Sequence, residues 1–136
     1  MKNPTHNGMR WLRQAKYDLD LAEKLLQDGN FAYACFFAEQ SSQKSLKAFL
    51  IWRGERFVPM HSVAELAKLA ASLDQAFALL IDNAKRLDRY YLSSRYPDAL
   101  PEPAIPAESY TRAEAQDAVV IAREIYAACE AIVRME

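Results

Sequence analysis

The side chains best placed for chemistry sit in two short connecting segments and on one helical edge. Arg95-Tyr96-Pro97-Asp98 opens a stretch, 93–110, that also holds Pro101, Pro103 and Pro106. An arginine there offers a permanent planar cation for phosphate or carboxylate, and Asp98 offers a carboxylate that accepts backbone N–H groups in a turn. His61, just before Ser62-Val63-Ala64-Glu65, is the one histidine outside the N-terminal stretch. Its imidazole is the group that moves a proton near neutral pH. Lys44 and Lys47 stand one helical turn apart beside Gln40 and Gln43, an edge that could hold a nucleotide phosphate. Each residue has a plainer use. Arg95 could pair with a carboxylate of a neighbouring helix, Asp98 could hold its own turn, His61 could bond a loop, and the lysines could form a solvated face.

Other chemistries lack their residues. The glycines are Gly8, Gly29 and Gly54, so no glycine-rich phosphate loop exists, and His, Cys and carboxylates are not grouped at metal-ligand spacing. Neither a metal nor a cofactor is expected. Cys35 and Cys129 fall on apolar helical faces and read as small buried hydrophobes. Lys plus Arg total 17 against 18 Asp plus Glu, a net charge of -1, so any contact with nucleic acid must be local rather than a property of the overall field. No stretch approaches the ~20 apolar residues of a membrane span, and no apolar leader core opens the chain. A cytoplasmic protein without a membrane partner is expected.

The elements that position these groups are helices. Leu12, Ala15, Leu19, Ala22 and Leu26 step by three and four. Gly29 suits the turn after them, and Asn30 suits the cap of a second helix running to about Arg53 with Phe31, Cys35, Ala38, Ser42, Ser45, Phe49 and Trp52 on its stripe. The small residues at its middle invite close approach of another helix. Ser62 and Glu65 form a capping-box pattern before a short helix with Val63, Leu66 and Leu69. A fourth helix carries Leu73, Phe77, Leu80, Ala84, Leu87 and Tyr91, and Thr111-Arg112-Ala113-Glu114 starts a last one through Val133. The expectation is all-α: an up-and-down helical bundle of four long helices plus one short helix. Residues 1–8, including His6, are expected as a flexible tail and 9–136 as a single domain. The 93–110 loop is the exception, and loops of that length are commonly functional.

Several fragments together resemble the HEPN domain family. They are Trp11 with Ala15 and Asp18-Leu19, the run Tyr33 to Ala48 through Glu39-Gln40 and Gln43-Lys44, His61-Ser62, Tyr90-Tyr91 before Arg95-Tyr96-Pro97-Asp98, and Tyr110-Thr111-Arg112-Ala113-Glu114. The resemblance covers roughly residues 9 to 135. It implies a helical bundle, commonly a homodimer, of a kind often paired with a minimal nucleotidyltransferase in toxin–antitoxin-type systems. Other members bind nucleotides or cut RNA without metal, using an Arg followed four to six residues later by a His. Arg95 stands where that arginine is expected, but positions 100, 101 and 102 are Leu100, Pro101 and Glu102. Leu and Pro transfer no proton, so the motif is broken. The literal match Arg56 to His61 lies in another connector. The resemblance with its broken motif implies a non-catalytic nucleotide- or RNA-binding or partner module, and the residues read above, Arg95, Tyr96, Asp98, His61, Lys44 and Lys47, are its candidate ligand-binding residues. The alternative is a metal-independent ribonuclease in which His61 serves Arg95.

Overall fold

A computed structural model describes residues 3–56 and 58–134. Its helices are α1 (Pro4–Gln27), α2 (Phe31–Trp52), α3 (Val63–Leu73), α4 (Ile81–Asp88), α5 (Tyr90–Ser93) and α6 (Arg112–Val133). No strand occurs among the described residues, and the all-α bundle stands. Among the same residues, no helix is long and apolar enough to cross a membrane.

Three long helices, α1, α2 and α6, pack on one another, and α3 with α4 close the remaining side of α2. Helix α2 lies at the centre, and its small residues let its neighbours close in. The Ser41 hydroxyl donates to the Ala15 carbonyl of α1 at 2.8 Å, and Ala34, Cys35, Ala38 and Ala48 are wholly buried. Phe49 meets Phe77 with ring centroids 4.5 Å apart, and burying an aromatic of this size stabilises the fold by roughly 2–3 kcal/mol. Gly29 and Gly54 end α1 and α2 at φ of +84° and +105°, a region that side chains with a Cβ rarely adopt.

The chain departs from the sequence reading in four places. Residues 4 to 8, expected within the flexible tail, are helical, because the Asn3 side chain accepts from the His6 N–H and Pro4 suits a first helical position. Gly8 is buried there, and a Cβ on it would stand 2.8 Å from Trp52 Cβ and 2.9 Å from the Ala48 carbonyl oxygen. Asn30 makes no side-chain cap, although α2 starts where expected. Ser62 does accept from the Glu65 N–H at 3.1 Å, but the rest of that terminus is capped from α4. The Asp88 carboxylate accepts from the Ser62 hydroxyl and from the backbone N–H groups of Val63 and Ala64.

The fourth departure is the segmentation of the helix expected over 73–91. Asp74 caps a 3-10 stretch, Gln75–Leu80, then comes α4, and the chain breaks at Arg89 before the single turn of α5. The hydroxyls of Ser93 and Ser94 bond back to the carbonyls of Arg89 and Tyr90, a pattern that bends helices. The break rotates the register, so Tyr90 is buried where Tyr91 was expected, and Tyr91 is left half-buried at the surface. At Thr111 the capping box is complete.

Candidate functional site

Two cavities meet on the α1–α2 face. The larger, about 910 Å³, is an open groove between α1, α2 and the α2–α3 connector. The smaller, about 240 Å³, lies where α2 faces His61 and α5. Trp11, Lys44 and Lys47 line both. Gln40, Gln43, His61, Tyr91 and Arg95 complete the smaller one. Four of the residues singled out in the sequence, His61, Arg95, Lys44 and Lys47, thus share one cavity although they come from three parts of the chain.

Tyr91 joins two of them. The His61 ring stacks on the Tyr91 ring at 5.6 Å and 12°, while the Tyr91 carbonyl accepts from Arg95 Nε and Nη2 at 3.1 and 2.9 Å. The Arg95 guanidinium also lies 4.6, 5.1 and 4.8 Å from the rings of Phe36, Tyr91 and Tyr96. Aromatic faces hold a guanidinium by cation–π attraction without neutralising it. Among the described residues Arg95 makes no ion pair, so the carboxylate partner considered for it is replaced by this aromatic clamp. Tyr96 belongs to the clamp but lines neither cavity. Asp98 is exposed in a single 3-10 turn, Pro97–Ala99, and also lies outside both.

The two lysines differ. Lys44 is anchored by Asp18 at 2.6 Å, with Gln14 donating to the same carboxylate at 3.3 Å. Lys47 is not the solvated lysine of the plainer reading: it is only 8% exposed, sits 5.8 Å from the Trp11 ring centre, and makes no ion pair or hydrogen bond among the described residues. Burial lowers its pKa from the ordinary lysine value, and the nearby Glu39 carboxylate opposes that shift. A shielded cation with an unfilled partner position favours an incoming anion, because the alternative is an uncompensated buried charge.

Behind the cavity wall lies a group that sequence reasoning missed. Glu39 is fully buried on α2, accepting from Gln40 Nε2 at 2.8 Å and Gln43 Nε2 at 2.5 Å. Burial pushes its carboxyl up to about 7, and Asp88 pushes the same way, while the two glutamine bonds and Arg95 act against the rise. Both carboxamides turn their nitrogens inward to this carboxyl, which is acceptor-only once ionised, above about pH 7, and their oxygens are then the acceptors left on residues that line the cavity.

Trp11 packs against the core and stands half-buried at the junction of the cavities. Arg10, Arg13, Gln14 and Tyr17 were also missed. Their spacing, 10, 13, 14 and 17, is itself a helical stripe, and the same periodicity test applied to polar residues would have found it. The two cysteines are buried and free, as expected of small hydrophobes, and burial raises both thiols, Cys35 to about 12. Phe36 and Phe37 meet edge to face at 4.9 Å, Phe36 under Arg95 and Phe37 against the core. No group of three or more His, Cys, Asp or Glu side chains among the described residues could hold a metal ion.

Comparison with known proteins places the chain in a family. The chain is 37% identical to TT1696 from Thermus thermophilus, whose crystal structure superposes with a TM-score of 0.81 over 91% of this chain and 96% of that one. ST0689, described as an archaeal HEPN homologue, is 30% identical with a TM-score of 0.76 over 98% and 99% of the two chains. A HEPN domain protein from Thermotoga maritima, tm0613, is 29% identical with a TM-score of 0.72 over 93% and 99%. A protein of Methanocaldococcus jannaschii named "Putative toxin MJ1304" is 25% identical over 123 residues, 85% of this chain and 80% of that one. The sequence profile of the HEPN domain matches residues 9–132, and the chain belongs to the HEPN domain family.

Proposed function

We propose that this HEPN protein is a binding module for the phosphate of a nucleotide or RNA, held in the cavity of Lys44, Lys47, His61 and Arg95. The observation that carries the reading is Lys47, nine-tenths buried in the lining of that cavity and in no ion pair or hydrogen bond among the described residues. Arg95, clamped by rings rather than neutralised, supports it. The same reading includes a homodimer and a nucleotidyltransferase partner of toxin–antitoxin type, consistent with the M. jannaschii relative's name. Tyr96 acts by holding Arg95, and Asp98 has no ligand role in it.

A second reading, metal-independent RNA cleavage by Arg95 with His61, draws on the one cavity that both line. One experiment separates the two. In a calorimetric titration with 5′-AMP, Lys47→Ala and Arg95→Ala are each expected to weaken binding about tenfold or more, the usual loss for a charge-assisted hydrogen bond. An oligoribonucleotide incubated with the purified protein is expected to stay intact. Unchanged affinity in both variants would remove the binding site; cleavage abolished by His61→Ala would install the second reading in its place.

A further inference from the structure

The larger groove extends the site along α1, beyond the residues of the smaller cavity. Arg10, Arg13 and Arg56 line it together with the shared Lys44 and Lys47, and neither cavity is lined by a carboxylate. Among the described residues six Lys and Arg side chains line the two joined cavities and no Asp or Glu does; Asp18 offsets Lys44 from behind, and the face stays net positive in a chain of net charge -1. Arg13 makes no ion pair or hydrogen bond among the described residues, and Arg10 reaches only Asn7 at 3.4 Å. Their charges stay available to a ligand.

Aromatic rings alternate with these cations. Trp11 stands at the junction and Tyr17, 73% exposed, at the far end. A positive groove with aromatic platforms is the combination that holds a single strand, the cations tracking phosphates while the rings take unpaired bases. A duplex keeps its bases stacked inside and cannot use the rings. Asn7 to Tyr17 spans about 15 Å of α1, longer than one nucleotide.

We propose that the α1–α2 groove is a strand-binding track for single-stranded RNA, running from Tyr17 and Arg13 past Trp11 and Lys47 into the Arg95 cavity, where one phosphate is seated. The proposal rests on the phosphate-binding reading of that cavity and names its ligand as an oligonucleotide. Arg10 and Arg13 line the track and not the cavity, which makes the two separable.

The test compares 5′-AMP with a fluorescently labelled single-stranded RNA hexamer, using the wild type and an Arg10→Ala/Arg13→Ala variant whose altered side chains are exposed. The hexamer is expected to bind at least tenfold tighter than 5′-AMP. The double variant is expected to lose tenfold or more for the hexamer with 5′-AMP unchanged, and its logarithmic salt slope is expected to fall by about 1.5, roughly 0.7 for each phosphate contact removed on a single strand. A hexamer that binds no tighter than 5′-AMP overturns the track, as does a double variant with full hexamer affinity. Equal binding of duplex RNA or of a heparin fragment also overturns it, by showing charge without use of the rings. Loss of 5′-AMP binding by the wild type is a different failure, that of the cavity reading. Arg13→Gln supplies the same comparison if the double variant does not fold.

Discussion

Asp88→Ala is expected to lower unfolding stability by about 3 kcal/mol, because three charge-assisted hydrogen bonds end on that carboxylate and their donors include the N-terminal amides of α3. Urea denaturation of the variant should show the loss as an earlier midpoint at unchanged slope. The effect extends beyond stability. Ser62 adjoins His61, and Asp88 is the tether that holds this connector against α4, so 5′-AMP affinity should fall as well. Full stability in the variant would mean that water or Ser62 alone satisfies the α3 terminus.

Glu39→Gln is expected to stabilise the protein above neutral pH. The folded carboxyl holds its proton up to about pH 7 and the unfolded one releases it near the ordinary value of 4.5. Between those limits the folded state binds more protons, so raising the pH weakens it, and the loss is complete above pH 7. Integrated over that window the cost is about 3 kcal/mol. Glutamine carries no such charge but can accept only one of the two carboxamide bonds, which returns about 1 kcal/mol. The variant should therefore be more stable than wild type by about 2 kcal/mol at pH 8, with the advantage gone at pH 5. Parallel stability–pH curves for the two proteins would show that Glu39 is not the titrating group.

The bundle was legible because its signals are local. The three-four spacing of α1, α2 and α6, the Gly29 stop, the Thr111–Glu114 helix start and the proline run each act within a few residues, and each holds in the structure. The helix over 73–91 was misread where distant groups intervene: the Asp88 side chain reaches from the end of α4 to cap α3, and the serines at 93 and 94 bend the chain beyond α4. The phase shift moved burial from Tyr91 to Tyr90, and with it created the surface on which His61 stacks. No periodicity within one segment can report that.

The site was legible in its cations and not in their surroundings. Arg95, His61, Lys44 and Lys47 stand out by residue type, but the burial of Lys47 depends on Trp11 crossing from α1. Glu39 looks like one more polar residue of α2 until the packing of α2 among its neighbours shuts it from water. Asp98 was favoured for its place in a turn after Arg95, yet that turn carries it away from the cavity.

A phosphate at the Lys47 position is common to the binding module and the strand track. A crystal structure of the protein soaked with 5′-AMP is expected to show phosphate oxygens within hydrogen-bond reach of Lys47 Nζ and the Arg95 guanidinium, between Trp11 and His61. A fully occupied nucleotide whose phosphate lies elsewhere, or an empty cavity at a concentration that saturates binding in solution, would contradict it.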